Sequence, residues 1–167
     1  MKKKIAIYPG TFDPITNGHL DLIDRGLRMF DQLIIAVAPS TRKQPLFDLK
    51  ERVAMIRDAV SGFKNIRVEA FHGLLVQYVR DNKGVAIIRG LRAVSDFEYE
   101  MQIALMNRRI DTSVETVFLM PSEEYSFLSS TIVKEVASFG GPVTGLVPEA
   151  VEVALREKFN MLEDIVE

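Results

Sequence analysis

The chain has 167 residues, of which 47% are hydrophobic and 26% charged, and its formal net charge is −2. These values are typical of one globular domain, so we expect a single domain over 1–167. They exclude a disordered chain, and the charge offers no long-range attraction for nucleic acid. The absence of cysteine excludes disulfides, thiolate metal sites and a cysteine nucleophile.

No apolar run reaches the roughly 18 residues that a membrane-spanning helix needs. The basic start, residues 1–4, is followed by an apolar run of only a few residues that ends at Pro9. That run is too short for a signal peptide. We therefore expect a cytoplasmic protein with neither a membrane nor a nucleic-acid partner.

Short apolar runs alternate with amphipathic segments along the chain and predict five strands. These are Lys4 to Tyr8, Gln32 to Ala38, Asn65 to Phe71, Val85 to Ile88 and Thr116 to Met120. Strands that are apolar on both faces are typical of a parallel sheet covered on two sides. The pattern predicts an α/β fold, a doubly wound five-stranded parallel sheet with helices on both faces.

Capping signals predict where several of the intervening helices begin. Asp48 with Glu51, and Ser95 with Glu98, form two capping-box patterns. Pro148 is suited to the first turn of a last helix, which we expect to end at Phe159 and to leave 160–167 as a C-terminal tail. Further helices are predicted from Asn17, over Leu74 to Asp81 and after Thr131.

The stretch from Tyr8 to Leu20, YPGTFDPITNGHL, joins the first strand to the first helix. The start of a helix carries free amide N–H groups and the positive end of the helix dipole, which suits a phosphate. His19 stands at that start, with Thr11 and Thr16 nearby. This arrangement indicates a phosphate-handling site, although a histidine at a helix start is also typical of a solvated or capping residue.

Cationic side chains follow two other predicted strands. Arg42 and Lys43 follow the second strand, and Arg89 and Arg92 follow the fourth. The carboxyl ends of parallel strands meet at one edge of the sheet, where ligands bind at the point of strand-order reversal. We therefore expect these cations to approach the first loop, together with the loop 125–131 after the fifth strand.

Several common catalytic signatures are missing from the chain. It has no Walker loop, no G-x-G-x-x-G, no G-x-S-x-G and no H-E-x-x-H. His19 and His72 are far apart in the sequence and bring no further zinc ligands. Donors and cations without a nucleophile or base favour phosphoryl or nucleotidyl transfer, which needs alignment and charge stabilisation. An acceptor phosphate, with a second pKa of about 6, needs no base.

Residues 8–19, YPGTFDPITNGH, resemble the T-x-G-H form of the nucleotidyltransferase signature. The similarity continues through the segments 88–102, 117–121, 126–130 and 133–136. Together these segments resemble bacterial phosphopantetheine adenylyltransferases over about residues 4–159. The resemblance implies a Rossmann-like nucleotidyltransferase fold and the transfer of AMP from ATP to 4′-phosphopantetheine, with Mg²⁺ as cofactor.

The resemblance also implies individual roles for residues. His19 would donate a hydrogen bond to the α-phosphate, and His19, Lys43, Arg92 and Ser130 would meet around the transferring phosphorus. The implied substrate-binding residues are Thr11, Lys43, Leu75 and Arg89. The implied ATP-binding residues are Thr11, Phe12, His19, Gly90, Leu91, Arg92, Glu100, Tyr125, Ser126, Phe127, Leu128, Ser129, Ser130 and Thr131. Apart from the resemblance, Glu100 lies inside the helix predicted from Ser95 and is typical of a solvated surface residue.

The same resemblance implies a homohexamer, a dimer of trimers, with coenzyme A as feedback inhibitor. It names no protein ligand for the magnesium ion, which usually takes phosphate oxygens and water. Two alternatives stay open at this point. One is the transfer of a nucleotidyl group to another phosphorylated acceptor. Examples are adenylyl transfer to nicotinamide mononucleotide and cytidylyl transfer to a polyol phosphate. The other is a nucleotide-binding module that catalyses nothing.

Overall fold

The computed structural model of the protein describes residues 3–39, 45–92 and 94–166, except for the side chains of 94–96 and 161–166. Within these ranges, five parallel strands form one sheet. They are β1 (Ile5–Gly10), β2 (Gln32–Val37), β3 (Ile66–Ala70), β4 (Ala86–Gly90) and β5 (Glu115–Leu119). The strand order is β3-β2-β1-β4-β5, so the order reverses between β1 and β4. This confirms the predicted doubly wound sheet.

Six α-helices accompany the sheet in the described residues. They are α1 (Asn17–Met29), α2 (Leu49–Ala59), α3 (Leu75–Asp81), α4 (Val94–Ile110), α5 (Ser130–Ser138) and α6 (Glu149–Val166). A short 3₁₀ turn, Glu123–Tyr125, lies between β5 and α5. Among the described residues, no helix combines the length and the hydrophobicity of a membrane span.

The alternation of side chains along the strands creates two separate cores. Ala6 and Tyr8 of β1 pack in the cluster that includes residues of α1, α2, α5 and α6. Ile7, between them, packs in a second cluster with Val76 and Val79 of α3. Successive side chains of a strand point to opposite faces, so both faces of β1 are covered. Helices therefore lie on both sides of the sheet, as predicted.

β1 and β4 separate at their carboxyl ends. β1 pairs with β2 along its whole length, from Ile5 to Gly10, but it pairs with β4 only through Ala6 and Ile7. Pro9 has no N–H with which to extend a ladder. The divergence opens a crevice at the point where the strand order reverses, and the strand ends beside it line the cavity described below.

Four predicted boundaries need correction. β4 ends at Gly90 and not at Ile88, so Arg89 lies within the strand. β1 continues two residues beyond Tyr8, because Pro9 and Gly10 still lie in parallel register with β2. α4 begins at Val94, so Ser95 lies inside the helix and is not its cap. The backbone of α6 continues past Phe159 to Val166, since 149–166 contains no proline or glycine to end it. By contrast, the capping box of Asp48 and Glu51 is confirmed, with both reciprocal hydrogen bonds present.

Candidate active site

A cavity of about 410 Å³ lies at the carboxyl ends of β1 and β4, between the starts of α1 and α5. Most of the predicted site residues line it. They are Thr11, Phe12, His19, Arg89, Gly90, Arg92, Glu100, Tyr125, Leu128, Ser129, Ser130 and Thr131. The sheet topology therefore brings together loops that are up to 120 positions apart in the sequence.

Four predicted residues lie elsewhere among the described residues. Leu91, Ser126 and Phe127 are neighbours of cavity residues but are not part of its lining. Leu75 packs against the core cluster on the α3 side of the sheet and also lies outside the lining. Lys43 and Arg42 fall outside the described residues, so their predicted convergence on the cavity stays a prediction.

His19 is held at the cavity wall by the cap of its own helix. Thr16 is the N-cap of α1, and its side chain accepts a hydrogen bond from the His19 N–H. In return, the Thr16 N–H donates to His19 Nδ1 over 3.0 Å. Glutamate or glutamine usually makes this reciprocal contact of a capping box. The histidine is therefore both a capping residue and a cavity residue, which unites the two interpretations of the sequence.

The His19 ring is neutral at pH 7. Burial, followed by the nearby charge of Arg92, lowers its pKa to about 4. Because Nδ1 accepts from Thr16, the single ring proton belongs on Nε2. The ring thus offers an uncharged N–H donor to the cavity.

The ring of Phe12 packs edge-on against His19, with 5.1 Å between the ring centroids. Phe12 has a φ of 49°, a left-handed conformation that is costly for a bulky side chain. Its ring also occupies the space beside Gly10, where an added Cβ would come within 2.9 Å of it. Glycine at position 10 therefore permits the close approach that places Phe12 beside the histidine.

Arg89 and Glu100 form a two-pronged ion pair in the cavity wall. Arg89 Nε donates to Glu100 Oε2 over 2.6 Å, and Nη2 donates to Oε1 over 2.5 Å. Nη1 of the same guanidinium donates to the Pro9 carbonyl at 3.2 Å. Glu100 is only 9% exposed, although its helical position suggested a solvated surface residue. Two predicted site residues are thus partners of one another.

Arg92 connects the loop after β4 with the loop before α5. Its Nη1 donates to the carbonyl of Leu128 over 3.0 Å. Leu128 itself is buried, and its side chain lies 3.6 Å from where a Cβ on Gly18 would stand. The loop that precedes α5 is therefore fixed from two sides.

The start of α5 presents backbone donors to the cavity. The Ser129 side chain caps the helix by accepting from the Ile132 N–H, and the Ser130 hydroxyl donates to the Pro14 carbonyl at 2.7 Å. The N–H groups of Ser130 and Thr131 have no acceptor within the helix. Such a helix start suits a phosphate, as predicted for this loop.

Sequence reasoning missed several residues of the cavity. Asp13 and Lys134 form an ion pair there, and Asp13 also accepts from the N–H groups of Leu46 and Phe47. Lys134 is four residues after Ser130 on α5, a spacing that places both on one helix face. That spacing could have indicated it. The remaining lining residues that were not predicted individually are Tyr8, Pro9, Gly10, Gly18, Leu22, Pro45 and Pro121, whereas Thr16, which the sequence placed beside His19, also lies in the lining.

Comparison with known proteins defines first the class and then the family. Residues 7–136 match the family described as cytidylyltransferase-like. The fold is also similar to a solved structure of a candidate nicotinate-nucleotide adenylyltransferase from Vibrio parahaemolyticus, with a TM-score of 0.70 and 18% identity over 95% of each chain. The sheet, the cavity at its switch point and the family match together define a nucleotidyltransferase.

Two curated relatives are much more similar in sequence. The phosphopantetheine adenylyltransferase of Thermodesulfovibrio yellowstonii is 60% identical over 158 residues, which cover 94% of this chain and 98% of the relative. That of Geotalea daltonii is 58% identical over 160 residues, covering 96% and 99%. The chain belongs to the phosphopantetheine adenylyltransferase family.

Proposed function

We propose that the protein transfers AMP from ATP to 4′-phosphopantetheine, giving dephospho-coenzyme A and pyrophosphate. This is the fourth step of coenzyme A biosynthesis from pantothenate. The identity of 58–60% to relatives of that name, over nearly their whole length, is the observation that carries the proposal. The cavity supports it, since it combines a neutral imidazole donor, arginines and a helix N-terminus around one space.

In the proposed reaction, an oxygen of the acceptor phosphate attacks the α-phosphorus of ATP in line. The bond from that phosphorus to the bridging oxygen breaks, and the electron pair leaves with pyrophosphate. The acceptor phosphate is ionised near neutrality, so the enzyme needs no general base. The site must therefore align the attacking and the leaving oxygen and stabilise the charge on the transferring phosphoryl group.

The neutral ring of His19 is suited to the second task. Its Nε2–H would donate to an oxygen of the five-coordinate α-phosphate without adding a charge that must be desolvated. Arg92 lies close enough to lower the pKa of His19 and would supply positive charge to the same group. The amides of Ser130 and Thr131 would receive the β- and γ-phosphates at the start of α5.

The other predicted contacts belong to the two substrates. The family resemblance assigns Thr11 to both substrates, with Phe12 beside it, and it assigns Gly90 and Tyr125 to ATP. All four residues line the cavity. Arg89, Lys43 and Leu75 are assigned to the acceptor because of the family resemblance. Glu100 is assigned to ATP on the same ground, but its ion pair with Arg89 suggests a different role that is tested below.

We propose that magnesium binds to the phosphates of ATP and enters the cavity together with the nucleotide. In the described residues, no group of three or more acidic or histidine side chains could hold a metal ion. The two carboxylates of the cavity wall, Asp13 and Glu100, already accept hydrogen bonds from Lys134 and Arg89. Magnesium usually retains water and takes phosphate oxygens, so this donor set fits an ion carried by the nucleotide. When bound, it would neutralise phosphate charge.

We further propose a cytoplasmic homohexamer, a dimer of trimers, that is inhibited by coenzyme A and has neither a nucleic-acid nor a membrane partner. Exposed apolar side chains of α4 support a subunit contact, since Leu105 is 57% and Met106 59% exposed. Coenzyme A shares the pantetheine arm and the adenylyl group of the reaction product, so it would compete for the same cavity. Light scattering of the purified protein tests the hexamer.

The decisive experiment measures pyrophosphate release from ATP over a panel of acceptors. We expect turnover with 4′-phosphopantetheine and none with nicotinamide mononucleotide. A polyol phosphate with CTP provides the test for cytidylyl transfer. Turnover with another acceptor, or ATP binding without turnover on any of them, would overturn the proposed function.

A further inference from the structure

Arg52 is a fully buried arginine behind the cavity wall. It lies in the first turn of α2, its residue is 1% exposed, and it is not among the described residues that line the cavity. A buried charge must be compensated, and here three backbone carbonyls accept hydrogen bonds from it while the carboxylates of Asp13 and Asp48 lie near enough to favour it. Arg52 Nε donates to Phe47 O at 3.1 Å, and Nη1 donates to Ala38 O at 2.9 Å and to Thr11 O at 2.5 Å.

The three carbonyls belong to three separate segments. Thr11 follows β1, Ala38 follows β2 and Phe47 precedes α2. One planar guanidinium therefore fastens the loop after β1 to the ends of two neighbouring elements. The loop that it fastens carries Thr11, which lines the cavity.

A second charged group fastens the same loop. The carboxylate of Asp13 accepts from Phe47 N at 2.9 Å and from Leu46 N at 3.0 Å. The N–H and the carbonyl of Phe47 are thus bound to Asp13 and Arg52 respectively. The segment 11–13 and the segment 46–47 are locked together by charged hydrogen bonds, which are stronger than neutral ones.

We infer that Arg52 is a positioning residue for the transfer reaction, one that fixes the Thr11 side of the cavity through the backbone. The inference rests on the proposed function, in which Thr11 contacts the acceptor as well as ATP. ATP has further assigned contacts, around Gly90 and the start of α5, to which the hydrogen bonds of Arg52 do not lead. Loss of Arg52 should therefore disturb acceptor use more than ATP binding.

The test is Arg52→Lys, which keeps the charge but cannot direct Nε and Nη1 donors at three carbonyls. The matched control is Arg57→Lys on the same helix, where Nη2 donates to the Val68 carbonyl, away from the cavity. We expect Arg52→Lys to raise the KM for 4′-phosphopantetheine about tenfold or more, since small misplacements are costly. The Kd for ATP should stay within about twofold, and the control should match the wild type in both.

Hydrogen exchange of the amides at 10–13 provides a readout that needs no turnover. Exchange there should accelerate in Arg52→Lys and not in Arg57→Lys. Equal losses for both substrates, or unchanged constants and exchange, would overturn the inference. A wild type that releases no pyrophosphate would instead refute the proposed function, while the exchange data would still report on Arg52.

If Arg52→Lys does not fold, Asp13→Asn weakens the same fastening and leaves the Arg52 guanidinium its three carbonyl acceptors. It should show faster exchange at 10–13 together with the acceptor-selective rise in KM. Faster exchange with no change in acceptor KM would show that the fastening does not serve the reaction.

Discussion

Arg89 turns one edge of its guanidinium onto the carboxylate of Glu100, with two hydrogen bonds of 2.5 and 2.6 Å. Both side chains are largely buried, at 27% and 11% exposure. The pair joins Arg89 of β4 to Glu100 of α4. The family resemblance assigns Arg89 to the acceptor and Glu100 to ATP, whereas this contact makes Glu100 a support for Arg89.

Glu100→Gln distinguishes these two roles. If Glu100 orients Arg89, the variant should raise the KM for 4′-phosphopantetheine about tenfold and leave the KM for ATP within about twofold. It should also lower the free energy of unfolding by about 2 kcal/mol, as expected when a charge-assisted hydrogen bond is lost. Steady-state kinetics measure the two KM values, and urea unfolding measures the free energy of unfolding.

The matched control is Glu115→Gln, in the exposed pair with Arg108, which should change neither the KM values nor the free energy of unfolding. A rise confined to the ATP KM would favour direct contact with the nucleotide.

His19→Ala removes the uncharged donor from the cavity. We expect kcat to fall by about 10² or more, because one preorganised transition-state donor is lost, while ATP still binds. Single-turnover kinetics and calorimetric titration with ATP measure the two effects. His72→Ala deletes the other, exposed histidine and should leave both unchanged. Near-normal turnover of His19→Ala would contradict the role of the ring.

The depressed pKa of His19 predicts how stability depends on pH. In the unfolded chain the ring has its ordinary pKa of about 6.5, whereas in the folded protein the pKa is about 4. Between these values the unfolded state binds the proton and the folded state does not. Stability is therefore lost as the pH falls from about 6.5 towards 4, by at most about 1.4 kcal/mol per pH unit from this group.

The comparison of wild type with His19→Gln isolates that contribution. Above pH 7 the difference in unfolding free energy between the two proteins should be constant. Below pH 6.5 the wild type should lose stability relative to the variant, which has no titrating ring. Urea unfolding at pH 7.5, 6 and 5 gives the difference, and parallel curves would show that the ring titrates normally in the folded protein.

Ser130→Ala should have a milder effect than its place in the predicted catalytic set suggests. The hydroxyl proton is engaged by the Pro14 carbonyl, so the donor that the residue offers to a phosphate is its backbone N–H. Alanine keeps that N–H. We expect kcat to fall less than tenfold, well short of the effect of His19→Ala. A loss as large as that of His19→Ala would assign the hydroxyl to the transferring group.

Lys43→Ala tests an assignment that comes from the resemblance alone. Removal of a cation that binds the acceptor phosphate should raise the KM for 4′-phosphopantetheine more than the KM for ATP, by about tenfold or more. Lys50→Ala, an exposed lysine on α2, controls for the loss of a surface charge. An unchanged acceptor KM would remove Lys43 from the site.

Hydrophobic patterning was sufficient to predict the sheet, because strands buried on both faces leave continuous apolar runs. The rule that ligands bind at the carboxyl ends of such strands then located His19, Arg89 and Arg92 correctly in one cavity. What local patterns do not contain is long-range pairing. The contact of Lys134 with Asp13 spans 121 residues, and that of Arg52 with Thr11 spans 41.

The end of β1 and the burial of Glu100 could not be predicted from the sequence. Pro9 and Gly10 read as a strand terminator, yet β1 continues through them because β2 still pairs alongside. Glu100 read as a solvated helical residue, since nothing nearby in the sequence reveals that Arg89 faces it. In both cases a tertiary partner decided the outcome over local propensity.

The capping contact between Thr16 and His19 has a consequence for inactivation by heat. The imidazole is one half of the capping box that starts α1, so fraying of the first turn of that helix would release the ring from its orientation. A calorimetric or spectroscopic probe of that turn and an assay of residual turnover should therefore lose signal at the same temperature. Ligands that hydrogen-bond to the His19 ring should raise the temperature at which the turn unfolds and the temperature at which turnover is lost by the same amount.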